Sequence, residues 1–102
     1  MFEIITVFTR PDAEVEFFYE VQGNHPIVKE IQQRYYQTPG SKGLSVKYKD
    51  REKIEISMAF ETAKQFLDFV DANKDLLEKR KQLIDEWCSI TGHTYSFYTI
   101  DS

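Results

Sequence analysis

Few residues in this chain have the types and spacing that chemistry requires. His25, between Asn24 and Pro26, and His93, directly after Gly92, are the two imidazoles. Each could act as a general base near neutral pH. Neither has a carboxylate at a spacing that would complete a metal-ligand set, so neither a metal nor another cofactor is expected. Each also has a structural reading. His25 sits where a helix begins, and His93 where one ends, a place that mildly favours a cation. Arg34-Tyr35-Tyr36 sets a cation beside two phenols, although Tyr35 also falls on an apolar stripe and reads as core. Arg10 closes the first apolar run and could hold an anion bidentately, or pair with Asp12, Glu14 or Glu16. Cys88 is the sole cysteine, which excludes an internal disulfide and a cysteine-based metal cluster. A nucleophilic thiol needs a lowered pKa and a nearby base; nothing adjacent supplies one, so an inert, buried Cys88 is expected. The stretch TPGSKG lacks the spacing of a phosphate loop, and no serine elbow is present. His25, Arg34, Tyr35 and His93 remain as candidate residues of a ligand pocket.

The elements that must position them follow from periodicity. FEIITVFT (Phe2 to Thr9) is β-branched and aromatic, and Pro11 stops it, so it reads as a strand. Phe2, Ile4 and Phe8 share one face, Ile5 and Val7 the other. DAEVEFFYEV fits a helical stripe and a strand equally; it is read as an irregular or extended linker that tucks Phe17 and Phe18 into the core. Asn24 or His25 caps a helix with Pro26 in its first turn. Ile27, Val28, Ile31 and Tyr35 are its buried stripe, and Pro39 ends it by Thr38. GLSVKYKD and KIEISMAF alternate at period two around a short polar join, which predicts a hairpin with Leu44, Val46, Ile54, Ile56, Met58 and Phe60 facing in. From Glu61 to Thr91 the period becomes helical, with an interruption at Asp71 to Asp75 and a plausible cap at Asn73; one bent helix and two consecutive helices both fit. Gly92 is a natural stop, and GHTYSFYTIDS supplies the last strand. The order is β-α-β-β-α-β, the split βαβ pattern of a ferredoxin-like α+β fold: a four-stranded antiparallel sheet with helices on one face and the first strand between the third and the last.

Composition bounds the function. A chain of 102 residues with 41% hydrophobic and 15% aromatic residues suits a single domain over residues 1–102 with an adequate core. A net charge of −4 gives no basic surface for phosphates, so no nucleic-acid partner is expected. The densest basic stretch, Lys79-Arg80-Lys81, is flanked by Glu78, Asp85 and Glu86 and reads as a solvated helix face. No signal-peptide pattern and no membrane span is seen, so a soluble cytoplasmic protein is expected.

The strands also carry a statement about assembly. A lone sheet covered by helices on one side should show a polar open face. The hairpin complies, with Ser45, Lys47, Lys49, Glu55 and Ser57. The first and last strands do not: Ile5 and Val7 on one, Tyr98 and Ile100 on the other, would leave an apolar patch, and such patches mark interfaces. Two open sheets packed about a two-fold axis would cover it. Ile5, Val7, Tyr98 and Ile100 are therefore the expected homodimer contacts. Alternation puts Tyr95 and Phe97 on the side of the last strand opposite Tyr98 and Ile100; the first pair is assigned to the helices, and a one-residue change of register would exchange the two sets.

The length, the strand order and the layout of AFETAKQFLDFVDANKDLLEKRKQLIDEWCSITGH, in which the third strand runs into a helix, breaks, continues as a second helix and ends at a glycine before the last strand, resemble the dimeric α/β-barrel group of ferredoxin-like proteins, which includes the antibiotic-biosynthesis monooxygenase-like families. The resemblance covers most of the chain and implies a dimeric α/β barrel. Haem-degrading members are similar in fold but use an Asn, Trp and His set; the first strand here has no Asn, and Trp87 and His93 do not reproduce that arrangement, so no catalytic residue is carried over. The residues favour a small homodimer with a binding or accessory role and no chemistry of its own. The resemblance and the Tyr-rich interior favour the alternative, a cofactor-independent monooxygenase- or isomerase-like enzyme acting on a small organic molecule. That alternative requires a pocket between sheet and helices.

Overall fold

The computed structural model describes residues 1–102. Its elements are β1 (Phe2–Thr9), α1 (Phe18–Gln22), α2 (Pro26–Gln37), β2 (Ser41–Tyr48), β3 (Lys53–Phe60), α3 (Ala63–Ala72), α4 (Lys74–Thr91) and β4 (Thr94–Asp101). The strands form one sheet in the order β2-β3-β1-β4, and every neighbouring pair is antiparallel. The helices lie on one face. This is the ferredoxin-like α+β fold with each of its two helical segments divided in two.

Local chemistry explains the boundaries. His25 caps α2: its Nδ1 accepts from the Ile27 N–H at 3.1 Å, and Pro26 occupies the first turn where no N–H is needed. Val28, Ile31 and Tyr35 form the buried stripe of α2, and Thr38, before Pro39, is already extended. Thr62 and Gln65 close a reciprocal capping box on α3. The long apolar pattern does divide at Asn73, but Asn73 does not cap α4 with its side chain. Its Nδ2 donates to the Phe69 carbonyl at 2.8 Å, and its Oδ1 accepts from Arg34 at 3.0 Å. Gly92 takes a left-handed φ of 84° and returns its N–H to the Cys88 carbonyl, a stop that a side chain would strain.

Residues 13–22 correct the linker expectation in part. The chain is irregular through Phe17, but Phe18–Gln22 is a short helix. Phe17 and Phe18 are both buried. Arg10 anchors this corner: its guanidinium lies 4.2 Å from the Phe17 ring centre and donates to the carbonyls of Arg51 and Val15. That use of its N–H groups makes Arg10 a structural clamp.

The core is split. One cluster joins Phe8, Phe17, Phe18, Val28, Ile54 and Ile84. The other joins Ile31, Tyr35, Phe60 and Phe69, with Tyr35 edge-on to both phenylalanines. Between them lie Ile4, Thr6, Ile56 and Met58, under the helical layer yet only half-buried. A close-packed interior would cover residues at the middle of a sheet. Their exposure locates a space.

Candidate functional site

That space is a cleft of about 470 Å³ between the sheet and the helices. The floor comes from alternate residues of β1, β3 and β4: Ile4, Thr6 and Phe8, then Ile56 and Met58, then Tyr95 and Phe97. Register explains the grouping, because Thr6 pairs with Ile56 on one side and Phe97 on the other, and paired residues share a face. The walls come from α1, α2, α3 and α4. Volumes of this size hold small organic ligands, and a mostly apolar lining with few polar groups is their usual form.

The polar part of the lining is Thr6, Tyr19, Gln32, Arg80, Lys81 and Tyr95. It includes no histidine, cysteine or carboxylate. Tyr95 is committed elsewhere: its hydroxyl donates to Asp85 Oδ1 at 2.8 Å, while Lys81 pairs with Asp85 Oδ2 at 2.9 Å. These bonds, Lys81 first, hold the Asp85 carboxyl below the ordinary carboxylate range, and they tie β4 to α4 along one wall. Phe8 lies against both Phe18 and Tyr95, with ring centres 5.7 and 5.8 Å apart. Phe97 is 65% exposed on the helix-facing side of β4, where no helix covers it.

The four residues expected to line a pocket lie elsewhere. His25 caps α2. Arg34 is exposed on α2, bonded to Glu30 and Asn73. Tyr35 is fully buried beneath the irregular pairing of β2 with β3; its hydroxyl accepts from the Lys42 and Gly43 N–H groups at 3.1 and 2.7 Å and donates to the Ala59 carbonyl. His93 is buried beside Phe17 and Trp87, each ring centre 6.0 Å away. Thr91 Oγ1 donates to the Trp87 carbonyl and lies 2.8 Å from His93 Nδ1. His93 Nε2 and Trp87 Nε1 are buried without a partner within the chain. Burial, with Arg10 adding a like charge, pushes the His93 pKa below the ordinary histidine value. Burial likewise pushes the Cys88 thiol up, the reverse of an activated nucleophile.

Sequence reasoning missed Arg80 and Thr6, and both had a signal. Arg80 was read with its charged neighbours in the chain. On a helix the neighbours that matter are three and four residues away, and here they are Leu76, Leu77, Leu83 and Ile84. Thr6 is the one polar residue on the face of Phe2, Ile4 and Phe8.

On the open face, Tyr98 lies opposite Ile5, and its hydroxyl reaches Glu55 on β3 at 3.4 Å, across β1. Ile5 is thereby buried within the single chain, and Val7 is half-buried. Tyr98 and Ile100 are each 44% exposed.

No protein-family model matches the sequence, and the search of curated proteins gave no match. Solved structures do match. A candidate antibiotic biosynthesis monooxygenase from Nitrosomonas europaea superposes with a TM-score of 0.64 at 12% identity, over 100% of this chain and 98% of that one. A dimeric ferredoxin-like protein from an uncultured marine organism gives 0.61 at 9% identity, over 98% and 91%. SnoaB, a cofactor-independent oxygenase from Streptomyces nogalater, gives 0.59 at 10%, over 99% and 91%. Identities this low show shared architecture alone. No helix of the chain is long and apolar enough to cross a membrane. The chain has the ferredoxin-like fold of antibiotic biosynthesis monooxygenase-like proteins, matched over its whole length.

Proposed function

We propose that this protein is a homodimeric, cofactor-independent monooxygenase-like protein acting on a small organic molecule held between the sheet and the helices. The observation that carries the reading is the apolar cleft of about 470 Å³ at the middle of the covered sheet face. The fold shared with a cofactor-independent oxygenase supports it, and the dimeric ferredoxin-like neighbour supports the assembly. The chemistry such a cleft can serve without a cofactor is limited. A carbon acid such as anthrone can give four electrons from its CH2 group to dioxygen. One oxygen atom becomes the carbonyl oxygen and the other leaves as water. The protein's part is to bind the aromatic body, hold its ionisable oxygen and exclude water.

Binding without chemistry is a second reading, favoured by the absence of histidine, cysteine and carboxylate from the lining. Calorimetry with neutral 2-naphthamide tests the cleft: wild type should bind it, and Thr6→Phe, which fills the floor, should abolish binding without unfolding the chain. Failure of wild type to bind either 2-naphthamide or its carboxylate counterpart, 2-naphthoate, overturns the cleft reading. Anthrone-dependent oxygen uptake above the uncatalysed rate, lost in Thr6→Phe, separates oxygenase from binding protein. Light scattering after size-exclusion chromatography should show a dimer that Ile100→Asp converts to monomer; a monomeric wild type refutes the assembly.

A further inference from the structure

Arg80 lines the cleft and, alone among the lining cations, has no acid to answer it. Lys81, next to it in sequence, pairs with Asp85. Among the other arginines, Arg34 pairs with Glu30, Arg10 is bonded to two carbonyls and Arg51 is exposed to solvent. Arg80 makes no ion pair and no hydrogen bond within the chain. The residues one helical turn to either side, Leu76, Leu77, Leu83 and Ile84, are all apolar. The other elements that line the cleft contribute Thr6, Tyr19, Gln32 and Tyr95 but no Asp or Glu. Its pKa is pushed down by burial, with no opposing contribution from a negative neighbour.

Arg80 is half-buried, so its guanidinium gives up part of its hydration, a cost that a partner would return. Within this chain that partner is missing. An arginine fork presents paired N–H donors that match a carboxylate or a delocalised oxyanion, and such bonds strengthen where water is excluded.

We propose that the cleft selects an apolar ligand carrying one anionic oxygen group, with Arg80 as the residue that receives it. The inference rests on the cleft being a ligand site and adds the charge of the ligand. The aromatic or aliphatic body lies along the apolar floor and the oxyanion faces the guanidinium. A neutral ligand of the same shape leaves Arg80 unanswered; a cation is repelled by Arg80 and Lys81 together.

Calorimetry with 2-naphthoate and 2-naphthamide, which share a ring system and differ in charge, tests the assignment at pH 7.5. Wild type should bind naphthoate at least about tenfold more tightly than naphthamide, a preference of ~1.4 kcal/mol. Arg80→Leu and Arg80→Gln should remove that preference while keeping the naphthamide affinity within about threefold of wild type, the remaining interaction being apolar burial. Arg80→Lys should keep part of it, since charge survives but the fork does not. Ligand-free Arg80→Leu should melt no lower than wild type, because no ion pair to the guanidinium is lost, a readout that does not depend on any ligand. Equal affinity of wild type for the two probes, or a preference that survives in Arg80→Leu, overturns the anion assignment and leaves the cleft reading standing. Failure of wild type to bind either probe overturns both.

Discussion

At the scale of single residues, this protein separates polar groups that serve the fold from groups the fold leaves unanswered. His25 Nδ1 accepts from a backbone N–H, and Arg10 and Arg34 are bonded within the chain. His93 Nε2 and Trp87 Nε1 are buried without such a partner, and the half-buried Arg80 has no ion pair. His93 has a consequence for stability. Its folded pKa is lowered below the ordinary value of about 6.5, so between the two values the unfolded chain binds a proton that the folded chain refuses. Stability from this group is present above about pH 6.5 and is lost as pH falls through that value. The melting temperature should therefore drop between pH 7 and 5.5, and His93→Gln should flatten that drop. An unchanged profile in the variant would show that His93 protonates freely in the folded state.

At the scale of elements, Tyr35 is the pin between α2 and the hairpin. The pairing of β2 with β3 is irregular between Ser41 and Gly43, and Gly43 has a φ of 131°. The irregularity leaves backbone groups without ladder partners, and the Tyr35 hydroxyl takes the Lys42 and Gly43 N–H groups. Tyr35→Phe keeps the ring but strands these donors, so it should destabilise by about 2 kcal/mol. The urea midpoint should fall with little change in slope. A midpoint within experimental error of wild type would mean the bulge finds other partners. The α3–α4 break shows a related lesson. Periodicity gave Asn73 as a capping residue; its side chain instead bonds back to Phe69 and across to Arg34. Pattern located the break, whereas the bonds there depend on α2, which lies far away in sequence.

At the scale of the whole molecule, two apolar surfaces remain on one edge strand. Phe97 is exposed on the helix side of β4, and Tyr98 and Ile100 on the open side. Tyr98 already shields Ile5, so the shared face proposed for a dimer is narrower than the four residues read from alternation; Tyr98 and Ile100 offer more area to a second copy than Ile5 does. If the folded unit is a dimer, its stability depends on protomer concentration. A tenfold increase in protein should raise the melting temperature measurably, and Ile100→Asp should abolish that dependence. A concentration-independent transition in wild type would refute an obligate dimer.

What the amino-acid sequence determined by itself was the order and type of the main elements. Period-two alternation in β2 and β3, the 3.6-residue stripes of α2, α3 and α4, and the Gly and Pro stops are local signals, because side-chain direction along one element depends on that element alone. The same alternation put Tyr95 and Tyr98 on opposite sides of β4, and the register with β1 decided that Tyr95 is the one under the helices. Tertiary structure alone decided the site. A cleft is space between elements, set by how far apart two core clusters stand, and no single stretch of sequence encodes that distance. It also decided the meaning of Arg80, whose charged neighbours along the chain suggest solvent. In the fold Lys79 is exposed and Lys81 pairs with Asp85, while the apolar turns above and below carry Arg80 into the cleft.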